Sequence, residues 1–213
     1  AIGVFGGAWM AWRRGSRLES AGVTFGLIFR SAPTFWVGLM MVMIFSVRLG
    51  WFPGQGMRAT GYEGESFREI FLSLDFLRHL VLPAFTAGLY FLATPMLIMR
   101  NSMIEVLSED YIEMAHAKGL KERRVLYLHA ARNALLPVVT AGALFIGSAI
   151  GGQVLIEVVF SWPGLGREIV QAVTRSDYPV AQGCFIIISA LVMFMNLMAD
   201  ILYAYLDPRI TYA

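Results

Sequence analysis

The chain of 213 residues has one cysteine, two lysines and three histidines. Cys184 alone excludes an intrachain disulfide and a cysteine metal site. The histidines are scattered, with no HExxH or similar ligand spacing. No GxxxxGK[ST] segment occurs, so the chain has no P-loop for ATP. No nucleophile–base pair, metal cluster or other cofactor signature is visible, which argues against an enzyme. Charged residues make up 15%, where a soluble domain carries about 25%. The net charge of +2 is too small for a nucleic-acid surface.

What fills the sequence instead is apolar. Hydrophobic residues reach 57% and the mean hydropathy is +0.63, which points to an all-α membrane protein. Twelve methionines fit lipid-facing and helix-packing surfaces, with a Met-rich partner groove as the alternative. Residues 1–12 are apolar but short of the roughly 20 needed to cross a bilayer. They lack a basic n-region and a cleavage site, so they read as the end of a span that begins earlier. Four further spans are expected at 22–47, 80–99, 135–160 and 179–206. They and the partial span form one transmembrane domain over 1–213.

The polar segments alternate in charge. Residues 13–20, 100–134 and the tail hold ten Lys and Arg, and the other two loops hold six. The positive-inside rule then places loop 100–134 and the C-terminus in the cytoplasm.

Several residues interrupt the spans. Pro33, Pro83, Pro95 and Pro137 are expected to kink or start helices. Ala143, Gly147 and Gly151 recur every four residues, a spacing that permits close helix packing or a weak point that opens a pathway. Arg30, Glu157 and Asp200 are the ionisable groups inside spans. Such groups face the bundle or snorkel. Arg30 lies near the inner end and Glu157 near the outer end, within reach of water. Asp200 is the best placed for a functional or helix-pairing role.

Loop 100–134 has internal organisation. Ser108 is the expected N-cap, with Glu109 and Asp110 in the first turn. Lys118 and Gly119 make a typical stop. A short helix is thus expected over 109–118, with Tyr111, Ala115 and Lys118 along a slim face. A second helix runs from about Lys121 into the next span. The pair suits insertion into a partner's groove, or an interfacial helix held to anionic lipid.

The stretch "EMAHAKGLKERRVLYLHAARNALLPVV" resembles the EAA loop of ABC importer permeases. With "FSWPGLGREI" at 160–169, "DYPVAQG" at 177–183 and "DPRI" at 207–210, the chain is similar to the dipeptide, oligopeptide and nickel permease family over nearly its whole length. The resemblance implies a type I permease fold with five of six spans present and the first missing. It implies two homologous permeases, two ATPases carrying ATP and Mg, and an external binding protein, in a bacterial or archaeal inner membrane. The chain itself would bind no cofactor. Peptides, nickel complexes, glutathione and some sugars are carried by such relatives. The ATPase-coupling residues would be Tyr111, Glu113, Ala115, Ala117, Lys118, Gly119 and Leu120. Met114 departs from the pattern, standing where the motif's first alanine is common. Trp162, Pro163, Gly164 and Gly166 would form an external gate or docking loop, or simply an anchor at the lipid boundary. The rival from another class is an ion-coupled secondary transporter.

Overall fold

The structure, a computed structural model, describes residues 1–61, 66–150 and 153–206, with backbone alone at 140, 143–150, 199 and 202–206. The stripe Ala143, Gly147, Gly151 and the "DPRI" segment lie outside the residues whose side chains are described. The described residues form helices: α1 (Ile2–Trp12), α2 (Arg17–Ser31), α3 (Thr34–Met41), α4 (Phe67–Leu72), α5 (Leu74–Leu107) and α6 (Asp110–Ala117). A short α7 (Glu122–Arg124) passes through a π-helical stretch, Val125–Ala130, into α8 (Ala131–Ile150). Then come α9 (Val154–Val159), α10 (Leu165–Thr174) and α11 (Tyr178–Leu206).

Two of these, α5 and α11, are long and apolar enough to cross a bilayer unaided. The expected span 22–47 is two helices. Proline lacks an N–H and pushes the residue before it out of the α region, so α2 stops at Ser31 and Pro33 caps α3 in an extended conformation. The expected span 135–160 is likewise divided, between α8 and α9. By contrast, Pro83 and Pro95 leave α5 helical throughout.

Two compact units divide the chain. The first gathers Ala1–Ser31 with Phe91–Phe145. Its core joins Ala11, Met99, Met103, Ile112, Ala115, Val125, Leu126, Ala130, Ala134 and Val138. Helix α1 approaches α5 through a small-residue stripe: Gly3, Gly7 and Ala11 are all buried. A Cβ on Gly3 would lie 2.7 Å from the Leu92 carbonyl oxygen. Glycine is needed here because the neighbouring atoms are backbone, which cannot step aside.

The second unit gathers Ala32–Tyr90 with Ile146–Met198. Leu82, Ile156 and Phe160 form its core, with Met41, Val42, Phe45 and Phe52 packed against them. Helix α3 continues as a π-helix over Val42–Arg48, and the loop that follows is fixed to this core by the Gly56 N–H, which donates to the Phe160 carbonyl at 2.8 Å. Helix α4 opens on a capping box between Ser66 and Glu69.

Candidate functional site

Helix α6 sits in loop 100–134 between two stops. Ser108 is not its cap. The Ser108 hydroxyl donates back to the Glu105 carbonyl at 2.6 Å and so finishes α5. Glu109 takes the N-cap position, and Asp110 and Glu113 lie in the first turn, where carboxylates favour the helix dipole. At the other end the Gly119 N–H donates to the His116 carbonyl at 2.9 Å and the Leu120 N–H to the Ala115 carbonyl at 3.4 Å. With Gly119 at φ +74°, this is a Schellman stop, and partly buried Leu120 supplies its apolar contact.

The faces of α6 differ from the expected ones. Ala115 turns inward and is buried beside Ile112 in the core of the first unit. Tyr111 is partly buried, and its hydroxyl accepts from the Asn133 side-chain amide of α8 at 2.7 Å. Smallness at Ala115 therefore serves the chain's own packing. The exposed face carries Glu113, Met114, Ala117 and Lys118. Met114 is 58% exposed, a large apolar side chain presented by a helix that is otherwise anchored. In the sequence Met114 stands out only as a departure from a motif. Its signal was the apolar residue itself, set between Glu113 and the small Ala117.

Two polar links tie the surroundings of α6 together. The Trp12 indole N–H donates to Glu122 Oε1 at 2.9 Å. Glu19, 6% exposed, pairs with Arg100 in the C-terminal part of α5, whose Nε donates to Oε1 at 2.9 Å and whose Nη2 reaches the same oxygen. The other Glu19 oxygen accepts from the Gly15 N–H at 2.5 Å. The Glu19 N–H donates to Ser16 Oγ at 3.2 Å, so "SRLE" is a helix start of the Ser-x-x-Glu type. That tetrapeptide could have been found in the sequence.

The Arg100 guanidinium, then the Gly15 N–H, hold the Glu19 carboxyl below its ordinary value of 4.5. A carboxyl lowered on folding stabilises the fold above the unfolded value, and that contribution disappears as pH falls through the folded one. The melting temperature in detergent is therefore expected to drop more for the wild-type chain than for Glu19→Gln on going from about pH 6 to about pH 3. Equal drops would remove the pair from the account.

The "SWPGLG" loop is built around Glu157. Its Oε2 accepts from the Arg167 N–H in the first turn of α10 at 2.9 Å, which makes this half-buried acidic residue a remote helix cap. Gly164 and Gly166 leave the space it occupies. A Cβ on Gly166 would lie 2.8 Å from the Val154 Cα and 3.0 Å from Glu157 Oε2. Arg167 Nη1 donates to the Ser161 carbonyl at 2.8 Å. The Trp162 ring lies 5.7 Å from that of Phe76, while Pro163 is exposed. Glu157→Ala leaves the Arg167 N–H without this partner, a loss of about 1–2 kcal/mol. Faster tryptic cleavage after Arg167 or Arg175 is the expected result, and an unchanged digest would count against the cap. Arg30 and Asp200 are exposed, and among the described residues neither forms an ion pair.

Residues 3–212 match the family described as the binding-protein-dependent transport system inner membrane component. The chain belongs to this family. As an inner membrane component it is a multi-pass membrane protein, and its similarity to known members runs along almost its entire length. It is 41% identical to a di/tripeptide transport system permease protein of Pseudomonas aeruginosa, over 98% of this chain and 66% of the relative. It is 46% identical to an oligopeptide transport system permease protein of Bacillus subtilis, over 90% and 58%. It is 39% identical to a dipeptide transport system permease protein of Escherichia coli, over 99% and 66%. This inner membrane component thus spans less than two thirds of the length of these relatives.

Proposed function

We propose that the chain is the translocation subunit of an ATP-driven importer of peptides, with α6 as the element on which an ATPase acts. The observation that carries the reading is the division of α6 into a fastened face and an offered face. Ile112, Ala115 and Tyr111 fix it to the core of the first unit, while Glu113, Met114, Ala117 and Lys118 are exposed. A helix held this way transmits displacement into α5 and α8 instead of absorbing it. The peptide substrate follows from what the relatives are called, and nickel complexes and glutathione are the related solutes.

In this reading loop 100–134 and the C-terminus are cytoplasmic. Two ATPases hold ATP and Mg, a second homologous permease completes the pathway, and an external binding protein delivers the solute. The loop with Trp162, Pro163, Gly164 and Gly166 is then external, a gate or docking surface stiffened by Glu157. The test is uptake of a labelled tripeptide into vesicles holding the complete transporter. Uptake that needs ATP and an intact ATPase supports the assignment. Uptake driven by an ion gradient without ATP would overturn it in favour of a secondary transporter. A bulky residue at Gly119, as in Gly119→Trp, should separate ATP hydrolysis from uptake, since φ +74° strains any side chain there.

A further inference from the structure

Beside the core of the first unit lies an apolar groove. Buried Met103 and Leu126 form its floor, and Phe5, Trp9, Trp12 and Tyr127 form its walls. The wall residues are 70%, 43%, 36% and 66% exposed, so this chain leaves the groove open. At the Trp12 end the indole N–H donates to Glu122.

That end is strongly basic. Arg13 places its guanidinium 5.6 Å from the centre of the Trp12 ring. Arg14 follows in the turn after α1 and Arg17 opens α2, and Arg123 and Arg124 directly follow Glu122; all five are exposed. Of the nearby carboxylates, Glu19 is neutralised by Arg100, while Glu122 keeps its charge and accepts the Trp12 indole N–H, so the five arginines face one uncompensated carboxylate. Among the described residues none of the five arginines is ion-paired.

An apolar trough flanked by two tryptophans and a tyrosine, with unpaired arginines at one end, matches one amphiphile. Aromatic rings of this kind settle at the headgroup level of a bilayer. Basic pockets beside membrane helices attract anionic headgroups, each Lys or Arg contributing on the order of 1 kcal/mol. We propose that this groove binds an anionic diacyl phospholipid. One acyl chain lies along Phe5, Trp9 and Tyr127 over Met103, and the phosphate sits between Arg13 and Arg124. A protein segment would have to leave the five arginines without counter-charge or supply several carboxylates of its own, whereas one phosphodiester at the membrane surface satisfies charge and apolar trough together.

The test uses the transporter purified from membranes in detergent. It is titrated with phosphatidylglycerol and, in parallel, with phosphatidylcholine of the same acyl chains, and bound lipid is counted by native mass spectrometry. Phosphatidylglycerol is expected to bind more tightly. Arg13→Gln with Arg124→Gln should weaken it roughly thirtyfold, the equivalent of two surface arginines, and leave phosphatidylcholine unchanged. Arg13→Lys with Arg124→Lys should keep most of the binding, which separates lost charge from misfolding. Ala131→Leu, which intrudes into the groove, should weaken both lipids. Equal affinity for the two lipids overturns the proposal. So do indifference to the arginine pair, full competition by glycerol phosphate alone, and a complex that takes up no lipid because another protein segment fills the groove. Binding is read directly on the complex, so the outcome is independent of the transport assignment.

Discussion

Met114→Asp is expected to lower ATP-driven uptake about a hundredfold while the chain still inserts and folds. Met114 is 58% exposed, so its removal takes little from the chain's own core. Burial of a methionine against a partner contributes about 1.5–3 kcal/mol. Replacing it by a carboxylate next to Glu113 adds the cost of desolvating an unpaired charge. A net loss of about 3 kcal/mol corresponds to roughly a hundredfold weaker engagement. The measurement is paired: uptake in vesicles, and the amount of ATPase that co-purifies with the permease. Helix propensity accounts for only about half a kcal/mol of any stability change. Undiminished uptake by this variant would remove α6 from the coupling role.

The other large effect is structural. Gly7→Val should leave little folded permease in the membrane, whereas Gly6→Val should be tolerated. A Cβ on Gly7 overlaps the Met96 carbonyl oxygen and comes within 2.9 Å of the Met99 Cβ and 3.0 Å of the Arg100 nitrogen. These atoms belong to the α5 backbone or its root, so α1 itself must move away. That displacement uncovers Ala11 and the residues around it, beyond the roughly 1–3 kcal/mol typical of overpacking. At Gly6 the nearest atom is the flexible Met96 sulfur at 3.8 Å. Immunoblots of washed membranes and melting of the purified complex distinguish the two variants. Equal amounts and equal melting would contradict the close approach of α1 to α5.

Much of this was legible before the structure. The acidic start and glycine stop bracket α6 to within a residue at each end, because both are chemical requirements of helix termini. The motif of loop 100–134 indicates the family only together with "FSWPGLGREI", "DYPVAQG" and "DPRI" in the same order. Three features were not legible, for distinct reasons. Ser108 has the right chemistry for a cap, but its hydroxyl had a competing acceptor one turn back at Glu105. Ala115 is small, and smallness alone does not say whether a residue makes room for a partner or for its own core. Glu157 looks like an isolated charge until Gly164 and Gly166 are seen to make its pocket. The stripe Gly3, Gly7, Ala11 is readable by the same spacing rule that applies to Ala143, Gly147 and Gly151, and neither the length of residues 1–12 nor their lack of a leader signature shows it.

The helix α6 is positioned by backbone hydrogen bonds at Gly119 and Leu120 and by Ile112, Ala115 and Tyr111. It presents a different set of residues outward. Mutation can therefore rewrite the outward set without unfolding the helix. If α6 is the seat of an ATPase as proposed, then after duplication of such a transporter a few changes at 113, 114 and 117 would let each copy acquire its own motor subunit, and the two systems could diverge within one cell without exchanging parts.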